Sequence, residues 1–440
     1  MLRPRGRFPA GSLLMLLALL LIACPAHAHA DLFEGTPEPN TRLTEGPTEL
    51  RLRFTEPLES RYTRVEVTDG NGTRYDTHTR IEGEDRRTLQ VSLAGPLRDG
   101  LHTVTWRILG VDGHTEGGAY LLAVNASLTG TDPEALHAAA AASAEADHGA
   151  HDQAIVGGAA FFGSSLAFGI PVVLVLVAAR AVPGARHRGH ERLAATAALL
   201  AGGAFLLQYV SFARVIEAPF LGALDTRAGL TLALRALLLA AAAALLLVAA
   251  SRKRETPRTG LRVAAAVLAF GALVATTFSS HAAAAPTGRA LAMGVDLLHQ
   301  AAVGVWVSGV AILLGFATFR VPSADLRATL LRFSPYALTA ALVVLLTGVY
   351  ASLRYVPDPA FLASTTWGRV LLAKVGLFTV VLVLGGLTRY VFAPRLLRDG
   401  SERALSRLEM LLLAELATMA LVLMLVAVLV GNDTPPLPSP

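Results

Sequence analysis

A histidine that one cleavage would place at the amino terminus is the first candidate for chemistry in this chain. Ala26-His27-Ala28 has the small-x-small form of a signal-peptidase site, and His29 follows it. A freed α-amine has a pKa of about 7.7 to 8, so a metal can displace its proton near neutral pH. The amine and the His29 ring would then chelate one ion, in the tetragonal nitrogen and oxygen geometry that favours Cu(II).

The residues before the cleavage site are typical of a targeting segment. A basic start precedes an apolar run, Leu13 to Ile22, that is too short to span a membrane as a stable helix. We therefore predict a signal peptide over residues 1–28. Two alternatives stay open: His29 is only a soluble residue at a frayed end, or lipoprotein processing before Cys24 leaves His29 inside the chain.

A carboxylate and a second imidazole lie close together later in the chain. In Val111-Asp112-Gly113-His114, Gly113 permits a tight turn, and Asp112 and His114 project from one side if the segment is extended. A solvated surface turn would explain this tripeptide on its own. Together with His29, however, the pair completes the His-Asp-His set that a Cu(II) site requires. No cysteine follows the predicted signal peptide, so His and Met must supply any soft-metal chemistry.

An exported domain over residues 29–128 must position these ligands. Strict alternation of apolar and polar residues, as in Glu49 to Phe54, is typical of half-buried strands, and Asp-Gly pairs separate such runs. About seven short strands without a helical period predict an all-β, Ig-like Greek-key sandwich. The domain holds 16 acidic residues against 11 arginines, which gives no support for nucleic-acid binding.

Several stretches of this domain resemble the periplasmic copper-binding family CopC across the whole domain. They are His29-Ala-Asp-Leu, Thr36-Pro37-Glu38-Pro39, Leu52-Arg53-Phe54-Thr55-Glu56-Pro57, and Val111-Asp112-Gly113-His114 followed by Gly117-Gly118-Ala119-Tyr120. The resemblance implies that His29, Asp112 and His114 bind Cu(II). Some members also carry a methionine-rich Cu(I) site, but residues 29–128 contain no methionine, so that site is not expected.

Residues 129–153 are rich in Ala, Asp, Glu and His without an apolar period, which predicts a flexible linker. Its histidines, His137, His148 and His151, either pass copper onward or are ordinary solvated residues.

Eight apolar runs after the linker are each long enough to cross about 30 Å of hydrocarbon as a helix. They cover about 154–179, 193–213, 228–250, 261–280, 291–319, 333–353, 368–391 and 408–431. These runs predict an all-α, eight-helix membrane domain over residues 154–431, followed by a tail at 432–440.

The charge of the loops predicts the orientation of the spans. If the exported domain lies outside, the inner loops carry 17 Arg and Lys residues and the outer connections carry 4. The positive-inside rule then predicts that both ends of the membrane domain lie outside. We expect a multi-pass protein in the lipid bilayer of a bacterial inner membrane, with the exported domain and residues 432–440 on the periplasmic or extracellular side.

Polar side chains within the fourth and fifth runs form a second candidate metal site. His281 ends the fourth run, while Met293, Asp296 and His299 in the fifth are spaced by three and share one helical face. The predicted topology puts all of them near the outer surface, where a thioether, two imidazoles and a carboxylate would suit a relay that accepts copper. The alternative is that Asp296 and His299 only form hydrogen bonds and cap helix ends.

This half of the chain resembles the CopD family of inner-membrane copper proteins, mainly over residues 270–420. The motifs are Asp296-x-x-His299-x-x-Ala302-x-x-x-Trp306-x-x-Gly309, Phe333-Ser334, Thr347-Gly348 and Thr366-Trp367-Gly368-Arg369-x-Leu371-Leu372-x-Lys374. One departure is Ser280-His281-Ala282, where the family commonly has Gly-His-Ala. Three further charged residues in the runs, Arg235, Lys374 and Glu415, are expected to form an intramembrane ion pair with a structural or gating role.

The sequence therefore predicts a copper-handling protein and no enzyme. The exported domain captures Cu(II), and the membrane domain moves copper, as Cu(II) or Cu(I), across the membrane for import, homeostasis or resistance. No G-x-x-x-x-G-K-[ST] motif is present, so transport runs downhill or is coupled to protons or to the membrane potential.

Two other functions stay open. The protein could be a membrane-anchored chaperone that delivers copper to a cuproenzyme or to other periplasmic copper proteins. An amino-terminal histidine chelate also serves copper oxygenases that cleave polysaccharides, but an anionic Asp112 ligand stabilises Cu(II) and argues against that chemistry.

Overall fold

A computed structural model of the chain describes residues 32–111, 113, 115–146, 150–177, 187–284, 288–356, 359–395 and 402–430. A β domain comes first in the chain, and a helical domain follows it.

The β domain is the predicted two-sheet sandwich. Its strands are β1 (Leu32–Thr36), β2 (Thr41–Leu43), β3 (Glu49–Phe54), β4 (Arg64–Asp69), β5 (Asp76–Glu82), β6 (Thr88–Leu93), β7 (Gly100–Leu109) and β8 (Thr115–Val124). One sheet has the order β1-β3-β6-β5 and the other β2-β8-β7-β4. The alternation seen in the sequence explains the layers, because Leu50, Leu52 and Phe54 of β3 are buried while the residues between them are exposed.

Two features of the sandwich differ from the sequence-based expectation. The described residues form eight strands, since the three-residue β2 is too short to give an alternating pattern. In addition, β2 pairs with β8 in parallel, so the sandwich is not wholly antiparallel.

A helix, α1 (Pro133–Ala146), occupies much of the segment that was expected to be a flexible linker. It packs against β8, and the ring of His137 lies 5.6 Å from the Trp106 ring, with Nδ1 3.3 Å from the carbonyl oxygen of Ala119. This corrects the expectation for residues 129–153. The alanine-rich stretch favours a helix, and packing on the sheet stabilises it. His148 lies outside the described residues.

The helical domain contains α2 (Ala150–Leu176), α3 (Arg188–Val215), α4 (Arg227–Ser251), α5 (Glu255–Thr277), α6 (His281–Ala284), α7 (Arg289–Thr318), α8 (Ser323–Tyr355), α9 (Phe361–Ser364), α10 (Thr366–Leu387) and α11 (Glu402–Val430). A π-helical segment, Thr388–Phe392, continues α10. Among the described residues, eight helices are long and apolar enough to cross a membrane: α2, α3, α4, α5, α7, α8, α10 and α11. This confirms the eight predicted spans.

Small residues bring some of these helices close together. A Cβ on Gly169 of α2 would lie only 2.0 Å from the carbonyl oxygen of Gly304 on α7. Nearby, the Ser308 hydroxyl donates to the carbonyl oxygen of Ser165 at 3.2 Å. Such close backbone contacts hold helices together in lipid, where the hydrophobic effect between them is absent.

The β domain contacts one end of the helical domain, where α3 ends and α4 begins. We call this the domain-facing end. Because successive spans run in opposite directions, it also holds the end of α5 and the start of α7. The starts of α3 and α5 lie at the other end, which we call the opposite end.

Candidate metal centres

The three predicted Cu(II) ligands, His29, Asp112 and His114, lie outside the described residues, but their neighbours in the chain are described. Gly113, between the last two, has a φ of 97°, in the left-handed region that favours glycine. Gly113 donates its N–H to the carbonyl oxygen of Gly110 at 3.0 Å, so it lies in a turn at one end of the sandwich.

The start of β1 lies at the same end of the sandwich as this turn. Leu32, the first residue of β1, pairs with Phe54 at the end of β3. Just beyond β3, Leu58 forms a β-bridge with Gly110, the residue that follows β7. The residues that follow His29 and those that precede Asp112 are thus at one end of the domain, as a shared site requires.

The same end of the sandwich packs on the helical domain. Leu109 is fully buried in a cluster that includes Tyr209, Phe212 and Ala228 from the domain-facing end. A Cβ on Gly113 would lie 2.6 Å from the Cβ of Ala228, the second residue of α4. The turn between Asp112 and His114 is therefore in contact with the helical domain.

Polar contacts surround this apolar patch. Tyr62 donates its hydroxyl to the carbonyl oxygen of Gly222 at 3.1 Å, and Arg107 Nη2 donates to that of Val215 at 2.9 Å. Glu217 lies 3.5 Å from Arg64 and 3.8 Å from Arg107, and Arg61 forms an ion pair with Asp225. Exposed ion pairs such as these contribute little energy, so the buried Leu109 cluster supplies most of the stability of docking.

The second candidate site lies at the same domain-facing end. Arg227, the first residue of α4, places its guanidinium 5.7 Å from the ring centroid of Phe278, the residue that follows α5. His281, three residues further on, begins the short helix α6, and its side chain is not described. Arg227 also interacts electrostatically with Arg289, the first residue of α7. The end of α5 at Phe278 and the start of α7 at Arg289 are therefore near Arg227, the neighbour of Ala228.

His299, on α7, has a defined hydrogen bond. Its Nδ1 lies 2.7 Å from Oγ1 of Thr347 on α8. That hydroxyl has one proton, and it points to backbone oxygens, at 2.5 Å from Val343 O and 3.2 Å from Val344 O. Thr347 must therefore accept from a protonated Nδ1, which leaves the lone pair of the neutral ring on Nε2. A histidine held in this way is prepared to bind a metal through Nε2.

The other two members of the predicted relay lie on the same helix. Met293 and Asp296 are half-buried, and Asp296 accepts a hydrogen bond from Gln300 Nε2 at 3.0 Å. Lys374 on α10 interacts electrostatically with both Asp296 and His299. Within the described part of the chain, no three His, Cys, Asp or Glu side chains are arranged to hold a metal ion. A relay site here would thus need Met293 or the His281 side chain.

The expected ion pair among Arg235, Lys374 and Glu415 is not formed. Arg235 instead donates to Ala275 O at 3.2 Å and to the Ser279 hydroxyl at the end of α5. Lys374 interacts with Asp296, and Glu415 with Thr388 and Trp306. The sequence placed all three in apolar runs, but helix packing separates them into different regions of the bundle.

A buried ionic cluster at the opposite end was not predicted. Arg258 and Arg262, 1% and 0% exposed, both bind the fully buried Glu191, with Arg258 Nη2 at 2.9 Å and Arg262 Nη2 at 2.8 Å. Glu255 contacts Arg258 from one helical turn away and Arg262 from two turns away. Burial, with the charge of Arg262, lowers the pKa of His187 to about 3 and keeps its ring neutral. Glu255 is followed by Arg258 and Arg262 at spacings of three and four residues, and this sequence pattern could have predicted the cluster.

The fold and these contacts define a multi-pass helical membrane protein with a β-sandwich domain docked on one end. The CopC domain model matches residues 32–125, and the model for Copper resistance protein D, CopD, matches residues 327–429. The chain is thus a CopC and CopD fusion and belongs to the CopC/CopD copper resistance and transport family. The CopD match begins later than the expected 270, so Met293, Asp296 and His299 precede it.

Two relatives and one solved structure illustrate what the chain is similar to. The copper transport protein CutJ of Bacillus subtilis (strain 168) is 28% identical over 461 residues, covering 97% of this chain and 78% of CutJ. Protein YobA of Escherichia coli (strain K12) is 33% identical over 112 residues, 25% of this chain and 90% of YobA. The crystal structure of CopC from Methylosinus trichosporium OB3b has 25% identity and a TM-score of 0.21, covering 22% of this chain and 93% of that chain.

Proposed function

We propose that this protein captures Cu(II) on its β domain and passes copper directly to a relay at the domain-facing end of the helical domain, for movement across the membrane. Capture uses the amine and ring of His29 after signal-peptide cleavage, with Asp112 and His114. The relay uses His281, Met293, Asp296 and His299. The copper transport protein CutJ aligns with nearly the whole chain, which supports transport rather than storage alone.

The observation that carries this proposal is the contact between Gly113 and Ala228. Gly113 lies between two proposed ligands, and a Cβ there would be only 2.6 Å from the Ala228 Cβ. Copper bound by Asp112 and His114 would therefore lie close to the start of α4 in the helical domain. Arg227, the neighbour of Ala228, contacts Phe278 at the end of α5, which leads to His281. Transfer over this short route needs no separation of the domains.

The donors of the two sites differ in a way that supports the direction of transfer. Two imidazoles, an amine and a carboxylate suit Cu(II), whereas the Met293 thioether with the His299 and His281 rings also suits Cu(I). The hydrogen bond to Thr347 directs Nε2 of His299, rather than Nδ1, towards the metal. Cu(I) formed by an external one-electron reductant would thus bind the relay more tightly than the capture site.

The orientation follows from the loop charges. The opposite end carries most of the arginines, so it faces the cytoplasm, and the β domain faces the periplasm or the outside of the cell. The protein accordingly lies in the inner membrane and receives copper from outside, directly or from periplasmic copper proteins. Because no nucleotide-binding motif is present, the driving force is the copper gradient, the membrane potential or a proton gradient.

The capture site can be tested at its amino terminus. Adding one Ala before His29 moves the α-amine out of the chelate, so the Cu(II) affinity of the mature protein should fall by roughly tenfold or more, about 1.4 kcal/mol per decade. His114→Ala should have a comparable effect, and Asp112→Asn a smaller one. Isothermal titration and EPR measure the effect of each variant on Cu(II) binding. The intact mass of the mature protein identifies the cleavage site. An unchanged affinity and EPR signal in the Ala-extended protein would contradict the proposed ligand set.

A further inference from the structure

Glu415 is a buried carboxylate in the middle of α11, and neither capture nor relay uses it. It is 3% exposed, and its contacts come from two sides. The indole of Trp306 on α7 donates a hydrogen bond to it, and the Thr388 hydroxyl lies 3.5 Å from Oε2. A Cβ on Gly385 would lie 3.2 Å from Oε1, so α10 leaves just enough room for the carboxyl group.

No cation is paired with Glu415 among the described residues. The charged groups on the packed elements interact elsewhere: Lys374 on α10 with Asp296 of α7, and Arg389 of the π-helical segment with the Ser334 hydroxyl. His299 lies on α7 with Thr347 as its partner, and α2 has no charged residue over 156–177. An unpaired carboxylate is costly inside a membrane and favours a functional explanation.

The backbone beside Glu415 is irregular. Thr388 begins the π-helical segment Thr388–Phe392, and the pair Gly385-Gly386 precedes it. Single π turns occur often at functional sites, because the wider turn changes the direction of side chains and weakens the local hydrogen-bond ladder. Glu415 therefore contacts, through Thr388, the start of this irregular segment.

We propose that Glu415 is a proton-binding site coupled to copper, protonated while the relay is empty and deprotonated when copper occupies it. The inference rests on the proposed function, since it requires copper at Met293, Asp296 and His299. In this step the O–H bond of the Glu415 carboxylic acid breaks, the proton passes to water, and a copper cation enters the relay. No electron is transferred.

Charge balance is the physical reason for this coupling. Trp306 follows His299 by seven residues, so Glu415 lies about 10 Å along the helix axis from the relay. A cation that arrives at this distance in a low-dielectric region stabilises a carboxylate and disfavours a second positive charge. When Cu(I) enters as the proton leaves, the net charge inside the membrane stays constant; when Cu(II) enters, the net charge rises by one instead of two.

Proton release on copper binding tests the proposal. Full-length protein in weakly buffered detergent is titrated with Cu(II), and with Cu(I) under reductant, while a pH dye counts the protons released. Glu415→Gln should release about one proton fewer than the wild type for each copper bound at the relay, and copper uptake into proteoliposomes should lose the part of its pH dependence that Glu415 supplies. Proton release from the capture site is common to both proteins and cancels in the difference.

Glu409→Gln is the matched control, because Glu409 lies on the same helix but accepts from Thr318 at 3.0 Å and lies 3.7 Å from Arg320. It should release the wild-type number of protons. If Glu415→Gln does not fold, Trp306→Phe keeps the carboxyl group and removes a donor that stabilises its charged form, so copper-dependent proton release should move to higher pH.

Two outcomes would overturn the inference: wild-type proton release in a folded Glu415→Gln protein, or an unmoved pH profile in Trp306→Phe. The proposed function fails separately, if wild-type proteoliposomes take up no copper. The binding titration in detergent decides the role of Glu415 in that case too, because it does not depend on transport.

Discussion

Charged residues are buried and paired differently at the two ends of the helical domain. At the opposite end, Glu191 is fully buried and both of its carboxylate oxygens are paired with Arg258 and Arg262. At the domain-facing end, Asp296 and His299 are only half-buried, and the Nε2 lone pair of His299 points away from its hydrogen bond to Thr347.

The charged groups at the opposite end stabilise the structure, whereas those at the domain-facing end are proposed to bind an ion. Three helices meet at the buried ionic cluster of the opposite end, where ring contacts join His187, the residue before α3, and His190 of α3 to Phe316 of α7. Paired groups there hold α3 and α5 in register. On α7, whose start lies at the domain-facing end, His299 keeps Nε2 available for a metal while Nδ1 is bonded to Thr347, as an ion relay requires.

The largest effect is expected from disrupting the buried ionic cluster of Glu191, Arg258 and Arg262. Glu191→Gln leaves two buried guanidinium groups with only the partly exposed Glu255 as a carboxylate partner, and breaking a buried pair costs about 3 to 5 kcal/mol. We expect a large loss of membrane level and of thermal stability in detergent. Glu402→Gln is the control, because its pair with Arg320 at 3.8 Å is exposed and should change stability by less than about 1 kcal/mol. Equal effects of the two changes would remove the distinction between the two ends.

The second largest effect is expected from changing His299, the proposed metal ligand on α7. His299→Ala should abolish copper accumulation in cells, while membrane level and the Cu(II) affinity of the β domain stay unchanged. Thr347→Val keeps the ring but removes the acceptor that fixes its tautomer, so accumulation should fall by about tenfold, in the range found for lost metal-ligand partners. If His299 only packs helices, the Ala variant should instead lose membrane level or thermal stability.

A smaller effect is expected from the interface that joins the two domains. Leu109 belongs to the docking cluster rather than to the sandwich core, so Leu109→Asp should undock the β domain without unfolding it. Copper accumulation should fall several-fold, with Cu(II) affinity unchanged. Leu101→Asp, at the far end of the same strand, is the control and should leave transfer intact. Equal accumulation in Leu109→Asp and the wild type would contradict direct transfer between docked domains.

The sequence predicted those parts of the fold that depend on local periodicity. The alternation in β3 and the apolar runs led to a sandwich and eight spans, because each pattern reports which face of an element is buried. The helix α1 was missed, since its alanines show no amphipathic period and only contact with β8 shows where it packs. The parallel pairing of β2 was missed because three residues are too few to show alternation.

The sites were predictable to a different extent. Spacing by three placed Met293, Asp296 and His299 on one helix, and the resemblance to CopC supplied His29, Asp112 and His114, whose ligation stays a prediction. The partner of Asp296 was not predictable. Which of several helices faces Lys374 or Glu415 depends on packing between distant segments, which periodicity does not encode. The docking of Gly113 on Ala228 is a tertiary contact of the same kind.

The central claim, direct transfer of copper from the β domain to the relay, can be measured in one turnover. Full-length protein carrying one Cu(II) on its β domain is reconstituted in proteoliposomes, and copper is counted in the lumen and on the protein over time. We predict that copper leaves the β domain and appears in the lumen for the wild type, and stays on the β domain in a normally folded His281→Ala, His299→Ala double variant. Normal luminal copper in the double variant would contradict the account.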